Sequence, residues 1–243
     1  MPMPSVSMRA LCPAPLTAFL FCAAVPMAML ATGCASRTSD PLRLKWKASA
    51  EVMHSALPGL KEGDIIFTCA KNVIYRKIAQ TFQSWESHVG ILFCDSSGGW
   101  KVAESTLPIT KFTPLDKFLL QSEDGRFVIR RLRAGLSQEE TPRLRVAVES
   151  RMGKLYDLGF QYDSSRLYCS KFVYDTFLEA TGQRIGRIET FREMFEENPG
   201  APVSFWRAWF FGRIPWERRT VTTTSQLHSA NLVTVFDSEK RAR

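Results

Sequence analysis

The sequence predicts an α+β protein in which helices pack on a small antiparallel sheet. Two strand-like runs, HVGILFC at 88–94 and WKVAES at 100–105, are joined by the turn-forming DSSGG, which is a hairpin pattern. The run RFVIRRLR at 126–133 alternates in polarity, as a strand with one buried face does. Apolar residues recur with a helical period at 72–83 and 137–153. Strands joined by a hairpin, with helices between them, favour the α+β class.

The remaining elements are predicted from local start and stop signals. Ser137 and Glu140 have capping-box spacing, Pro114 suits the first turn of a helix, and Gly182 suits a helix end. In chain order, these elements are a helix at 44–57 ended by Pro58 and Gly59, a strand at 64–68, a short helix at 114–121, a helix from Cys169 to Gly182 and a last strand at 231–236. With 243 residues, 45% of them hydrophobic, the chain is long enough for one sizeable core.

The first 33 residues predict a lipoprotein signal peptide. A single positive charge, Arg9, precedes an apolar stretch that ends in small residues. Prolines interrupt this stretch, so it falls short of the ~20 apolar residues that a membrane span needs. The end of the segment, LATGC, resembles a bacterial lipobox that leads into Cys34. We therefore expect cleavage before Cys34 and lipidation of its thiol; the alternative is ordinary cleavage near the same point.

This prediction divides the chain into three parts. Residues 1–33 are the signal peptide, residues 34–59 are a polar tether with an N-terminal helix, and residues 60–243 form the functional domain. Ala35 follows the lipidated position where an aspartate would favour inner-membrane retention. We therefore expect the protein in a bacterial cell envelope, lipid-anchored on the periplasmic face of the outer membrane.

The net charge of the protein indicates which kinds of binding partner to expect. A formal charge of +8 suits a negatively charged partner such as an anionic lipid or an acidic polymer. The basic residues are scattered along the chain, and neither a zinc-finger spacing nor an RNA-binding signature is present, so nucleic acid is not expected.

The cysteines suggest the chemistry. Cys69 and Cys94 each follow an apolar strand that we expect to bury them, either as free thiols or as a disulfide. Cys169 instead follows a polar turn and begins an apolar-periodic helix. The N-terminus of a helix stabilises a thiolate, which makes Cys169 a candidate nucleophile. The alternative is a buried cysteine in the core.

A nucleophilic thiol needs a base and a group that orients the base. His88 begins one strand of the hairpin, and Glu104 lies on the other strand. Neighbouring antiparallel strands are ~4.8 Å apart, so a carboxylate there can reach the ring. The predicted triad is therefore Cys169, His88 and Glu104. Taken singly, each residue also has a structural interpretation, as a core cysteine, a satisfied histidine or an exposed glutamate.

A series of motifs resembles the YiiX/YaeF family of circularly permuted papain-fold cysteine hydrolases, which are related to NlpC-type cell-wall peptidases and to the lecithin-retinol acyltransferase group. The resemblance covers roughly residues 60–182, with a looser similarity in TTTSQLHSANLVTVF near the C-terminus. The matching segments occur in family order: EGDIIF, SHVGIL, VAES, TPLDKF, RFVIRRL, GLS, GKLYDLGF and YCSKFVYD. In this permuted group the histidine precedes the cysteine, as His88 precedes Cys169 here.

The resemblance implies roles for individual residues. His88 is the base, Cys169 the nucleophile and Glu104 the third member, while Tyr168 helps to line the oxyanion site. Lys171 departs from the family, many of whose members carry an acid there; at 3.6 residues per turn its side chain is expected on the far side of the helix from Cys169.

The aromatic segment 198–216 has no counterpart in the family. One interpretation is an aromatic helix or loop packed on the sheet. The other is a lid or membrane-facing patch, because tryptophans beside arginines suit a lipid interface.

Together these observations predict a membrane-tethered thiol hydrolase or acyltransferase that forms a thioester on Cys169 and needs no metal or organic cofactor. The favoured substrate is an amide in a cell-wall peptide or an amino-acyl amide. A lipid ester or amide is the alternative, and a non-catalytic binding lipoprotein is a third. The presence of all three candidate residues argues against the third.

Overall fold

A computed structural model describes residues 53–240, and its main feature is a six-stranded antiparallel sheet with the strand order β4-β3-β2-β1-β5-β8. A separate pair, β6 and β7, forms a second small sheet. The strands are β1 (Ile65–Ala70), β2 (His88–Cys94), β3 (Trp100–Ser105), β4 (Thr110–Pro114), β5 (Ser122–Leu132), β6 (Ile188–Thr190), β7 (Arg219–Val221) and β8 (Leu232–Asp237). This α+β architecture confirms the predicted fold class.

The helices lie on both faces of the large sheet and around its end. They are α1 (Val73–Thr81), α2 (Leu115–Leu120), α3 (Glu140–Glu149), α4 (Cys169–Thr181), α5 (Phe191–Glu197), α6 (Val203–Trp209) and α7 (Thr223–Leu227), and a 3-10 turn spans Leu57–Gly59. Asn72 caps α1 through its side chain, and Gly182 ends α4 in the left-handed conformation with φ 70°. Ser137 and Glu140 exchange the two hydrogen bonds of the predicted capping box.

Elements with a strong local pattern lie where the sequence predicts them. The hairpin strands β2 and β3 have the predicted bounds, and α1, α2, α4 and β8 agree within one or two residues. Strand β5 begins earlier than predicted and α3 is shorter. The sequence did not predict β4, β6, β7, α5 or α7. Of the N-terminal helix, residues 53–56 are helical, while its remainder, the tether and the signal peptide lie outside the described residues.

Alternation along the central strands separates two cores. Ile65, Phe67 and Ile91 point to the face that is covered by α3 and α4, whereas Ile66 and Leu92 point to the face covered by α2. Every one of these side chains is fully buried, so the sheet is apolar on both faces. A β-sheet covered on both sides places its catalytic groups at the strand ends, where the apolar packing stops.

A third cluster is aromatic and lies beside the start of α4. It brings together side chains of α1, α5 and α6 with those of the chain that leads into α4. Within segment 198–216, Trp206 is buried and donates its Nε1 hydrogen to Thr81 of α1 at 2.7 Å. The aromatic segment therefore forms helix α6 and packs in this cluster.

Among the residues described, the structure contains no helix that is long and apolar enough to cross a bilayer.

Gly90 sets the spacing between β2 and β3. A Cβ atom at this position would lie 2.3 Å from Cγ1 of Val102 and 2.9 Å from the carbonyl oxygen of Ala103. We expect Gly90→Ala to lower the free energy of unfolding by about 1–3 kcal/mol, because a rigid strand backbone must move to admit the methyl group. Urea denaturation measures this. Gly59→Ala is the control, since its Cβ meets only Val235, at 4.0 Å, and should leave the midpoint almost unchanged.

Candidate active site

The strand register brings His88 and Glu104 together. Ile91 pairs with Ala103, so Gly90 lies opposite Glu104, and His88 lies diagonally across on the same face of the sheet. Gly90 has no side chain, which leaves room for the glutamate to extend toward the ring. Oε2 of Glu104 lies 2.5 Å from Nε2 of His88.

A second bond fixes the carboxylate of Glu104. The Thr113 hydroxyl donates a hydrogen bond to Oε1 at 2.5 Å. Burial alone would raise the pKa of Glu104, but the hydrogen bond and charge of His88, together with Thr113, lower it. The group is therefore an ionised carboxylate that is buried almost completely and aimed at the imidazole.

The ring of His88 is enclosed by aromatic side chains. Phe118 stacks on it at a centroid distance of 5.6 Å, and the Tyr75 ring lies 5.3 Å away. Burial by itself lowers the pKa of His88, but Tyr75, the Cys169 thiol and the Glu104 carboxylate outweigh burial and raise this pKa well above its usual value. Nδ1 is buried and has no hydrogen-bond partner among the described residues, and the thiol of Cys169 is among the groups close enough to raise the pKa of the ring.

The chain before α4 delivers Cys169 to the same end of the sheet. Ser105, which follows Glu104 at the end of β3, donates its hydroxyl hydrogen to the carbonyl of Leu167 at 3.0 Å. Beyond the cysteine, the Ser170 hydroxyl bonds the carbonyl of Val221 in β7 at 2.7 Å. These bonds hold both sides of Cys169, whose side chain is only 4% exposed.

The first turn of α4 has backbone N–H groups that are available to donate hydrogen bonds. The first intrahelical bond runs from Phe172 N–H to the carbonyl of Tyr168, and no side chain of the described part of the chain caps the helix. The first N–H groups of a helix have no partners within it, and the helix dipole makes that end positive. The first N–H groups of α4, which begins at Cys169, are therefore available to donate to an oxyanion.

Tyr168 lies where the sequence places it, next to the thiol, but its hydroxyl is already bonded. The hydroxyl accepts a hydrogen bond from Val221 N–H at 2.9 Å and lies 3.1 Å from the Thr220 hydroxyl. Its ring lines the cavity beside Cys169. The residue therefore shapes the site with its ring, while its hydroxyl attaches β7 to the start of α4.

Two tyrosines that the sequence analysis did not single out complete the site. Tyr75 of α1 is 7% exposed, and its ring lies against His88. Burial first, and then Tyr75 and Cys169, raise the pKa of Tyr156 well above its usual value, so its hydroxyl stays protonated beside the sulfur. Tyr156 could have been identified from the sequence, because it belongs to the GKLYDLGF motif. Nothing in the sequence distinguishes Tyr75 from a core residue.

Lys171 supports the loop that precedes the nucleophile. It is buried, and its ammonium group donates to the backbone carbonyls of Ser164 and of Arg166, the latter at 3.1 Å. Burial lowers the pKa of Lys171, while Asp175 opposes that shift. The departure from the family acid therefore has a structural consequence, because a carboxylate could not donate to these two carbonyls.

Cys69 and Cys94 are free thiols, and both are half-buried. The expectation that their strands bury them is therefore wrong, and Cys169 is the buried thiol. Thr68 and His88 form the last pair between β1 and β2, and Cys69 lies just beyond that pair. Cys94 is the last residue of β2, at the other end of that strand, where apolar packing also stops. This separation rules out a disulfide between them. Burial raises the pKa of Cys69, an effect that its contact with Ser87 partly offsets.

An apolar cavity of about 30 Å³ adjoins Cys169. No side chain that lines it is charged. The lining comes from α1, α4, α5, α6 and β7 with their adjoining loops, and consists of Ile78, Phe82, Ser87, Phe160, Tyr168, Cys169, Ser170, Phe191, Met194, Trp206, Thr220, Val221, Thr222 and Thr223. A bound group next to the sulfur would therefore meet mainly hydrocarbon and aromatic surface.

A histidine on a strand that precedes, in the chain, a cysteine at the start of a helix packed on that sheet is the arrangement of a papain-like thiol hydrolase with permuted chain order. Residues 59–236 match the family described as permuted papain-like amidase enzymes (YaeF/YiiX, C92 family). The chain belongs to this family, as its sequence motifs indicate.

Two comparisons with proteins from Escherichia coli agree with this assignment. The chain is 29% identical to the protein YiiX of strain K12 over 173 residues, which is 71% of this chain and 84% of YiiX. The crystal structure of yiiX from strain O157:H7, which is described as a metalloprotein, superposes with a TM-score of 0.67 at 29% identity and covers 73% of this chain and 97% of its own.

Proposed function

We propose that this protein is a cysteine amidase in which Cys169 is the nucleophile, His88 the general base and Glu104 the group that orients His88. The observation that carries the proposal is the hydrogen-bonded pair of His88 and Glu104. The second ring nitrogen of His88 is buried without a hydrogen-bond partner among the described residues and is therefore available to the neighbouring thiol. A buried carboxylate on one nitrogen fixes the tautomer and the orientation of the ring, as in other hydrolase triads.

The reaction follows from this arrangement. His88 takes the proton from Cys169, and the thiolate attacks the carbonyl carbon of the substrate amide. The backbone N–H groups at the start of α4 stabilise the negative oxygen of the tetrahedral intermediate. The imidazolium then gives its proton to the leaving amine as the C–N bond breaks, which leaves an acyl thioester on Cys169. Water, activated by His88, hydrolyses the thioester and restores the thiol.

No step of this mechanism passes through a metal ion. Among residues 53–240, no group of three or more His, Cys, Asp and Glu side chains is arranged to hold one.

The cavity favours an apolar acyl group. The charged groups of a cell-wall peptide would find no charged partner in the lining, whereas a hydrocarbon group would be surrounded by Met194, Val221 and the Trp206 ring. We therefore place the lipid-like acyl amide or ester ahead of the amino-acyl amide as substrate. A cavity of about 30 Å³ admits a short chain segment directly. A longer chain requires the side chains that line the cavity to move.

A series of acyl anilides of increasing chain length tests this preference. Burying each added CH2 contributes about 0.8 kcal/mol, so kcat/KM should rise about fourfold per carbon until the cavity is full. Met194→Ala removes part of the lining and should move the optimum to longer chains. Met152→Ala, a change of the same size away from the cavity, should leave the optimum unchanged. A preference for alanyl anilide over an uncharged acyl anilide of equal size would contradict the proposal and support an amino-acyl substrate.

We also propose that the mature protein is lipidated at Cys34 and anchored on the periplasmic face of an outer membrane. Small residues that lead directly into Cys34 after an apolar segment support this proposal. Cys34→Ala should abolish the lipid modification, as intact-protein mass spectrometry of membrane fractions measures. Recovery of the native protein in the cytoplasm with residues 1–33 attached would contradict the proposal.

A further inference from the structure

Helix α6 and the segments beside it carry exposed apolar side chains. The Phe211 side chain is 100% exposed, Val203 and Leu158 are also exposed, and Trp209 donates its Nε1 hydrogen to the carbonyl of Leu158 at 3.0 Å. We call these four residues, with Arg207 and Arg213, the Phe211 patch. A fully exposed aromatic ring contributes nothing to the core, so its contribution lies outside the fold.

The backbone at Phe211 is costly for this residue. Its φ of 52° lies in the left-handed region, where an aromatic residue is disfavoured, and Gly212 follows with φ 96°. The turn is closed by hydrogen bonds from Phe211 N–H to the Ala208 carbonyl and from Gly212 N–H to the Arg207 carbonyl. Helices usually place glycine or asparagine at such a position. This turn instead projects the ring of Phe211 away from the protein.

The charges beside the ring are positive and free. Among the residues described, neither Arg207 nor Arg213 forms an ion pair, whereas Glu197 and Glu217 pair with Arg187 and Arg192. Cations that flank an exposed aromatic ring match the interface of an anionic bilayer, where the ring enters the acyl boundary and each arginine meets a phosphate.

We propose that the Phe211 patch docks this protein on an anionic lipid bilayer. Trp206 of the same helix lies three residues from both Val203 and Trp209, near them on the helix surface, and lines the cavity beside Cys169. Docking would therefore bring this wall of the cavity close to the lipid surface. The inference does not need the proposed chemistry, because docking is measured without turnover.

The predicted tether makes such a contact necessary for orientation. The nine residues 35–43, which precede the predicted helix at 44–57, span up to about 30 Å when extended. A domain of this size has a radius of gyration of about 16 Å. A lipid at Cys34 would therefore leave the domain free to face in any direction, and a second contact is needed to turn the site toward the bilayer.

Hydrogen exchange of the full chain mixed with vesicles tests the proposal. With phosphatidylcholine vesicles that contain phosphatidylglycerol, amides at 203–213 should exchange about tenfold more slowly than with phosphatidylcholine alone, and added salt should reduce the difference. Phe211→Asp should remove the protection. Val146→Asp, which places the same charge at a 64% exposed site on α3, should keep it. Phe211→Gly relieves the backbone strain, so it should keep or raise the stability and still lose the protection.

Three results would overturn the proposal. The first is exchange of residues 203–213 at the same rate with both kinds of vesicle, and the second is protection that survives in Phe211→Asp. The third is protection that appears without vesicles as the protein concentration rises, which would show that a second copy of the chain covers the Phe211 patch. Each result is independent of whether the protein hydrolyses an amide.

Discussion

Cys169→Ala is expected to lower kcat/KM on the order of a million-fold, because it removes the proposed nucleophile, on which the acyl group would be carried. The change deletes one buried sulfur and should leave the fold intact. Hydrolysis of the preferred acyl anilide measures the loss, and circular dichroism verifies the fold.

Two matched variants separate this effect from a general effect of losing a thiol. Cys69→Ala and Cys94→Ala remove the half-buried thiols and should retain wild-type kcat/KM, because neither thiol is among the groups that shift the pKa of His88. If Cys169→Ala kept substantial hydrolysis while folded, the residue would be a core cysteine and the binding-lipoprotein interpretation would be the better one.

Glu104→Gln is expected to lower kcat/KM about a hundred- to ten-thousand-fold and to move the alkaline limb of the pH profile to lower pH. The glutamine keeps the shape but not the charge that helps to raise the pKa of His88. The imidazolium therefore loses its proton at lower pH, and the group that protonates the leaving amine is lost earlier. A kcat/KM profile measured across pH for both proteins tests this.

Glu104→Gln should also change how the free energy of unfolding depends on pH. Since folding raises the pKa of His88, the pair's contribution is complete below the ordinary histidine value of 6.5 and is lost as pH rises through the raised value. Since folding lowers the pKa of Glu104, its contribution is complete above the ordinary value of 4.5 and is lost as pH falls through the lowered value. The difference in unfolding free energy between wild type and Glu104→Gln should therefore be largest between pH 4.5 and 6.5. A pH-independent difference would show that Glu104 acts only through packing.

The sequence predicts those parts of the site that local pattern determines. His88 and Glu104 lie on a hairpin whose bounds follow from two strand-like runs and from the turn DSSGG, and the register of that hairpin then sets their diagonal contact. Cys169 begins a helix with clear periodicity and a glycine at its end. Because local rules fix each of these elements, the amino-acid sequence alone is enough to propose the three residues together.

Contacts between distant segments could not be predicted in this way. Strands β6 and β7 have only three residues each and exist because they pair with each other. Tyr75 lies on an ordinary amphipathic helix, and only the packing of α1 against β1 brings it to His88. The burial of the cysteines was misjudged for a related reason, since a position after an apolar strand does not reveal where the covering helices end.

Mapping the acyl group on the enzyme tests most directly whether Cys169 is the nucleophile. The wild-type protein is mixed with an activated acyl ester, quenched in acid during turnover, digested and analysed by mass spectrometry. A substrate-like reagent is essential, because Cys69 and Cys94 are more exposed than Cys169 to a simple alkylating agent. We predict an acyl thioester on Cys169 that disappears as substrate is exhausted and that forms far more slowly in His88→Ala. An acyl group on Cys69, on Cys94 or on no cysteine during continued hydrolysis would contradict it.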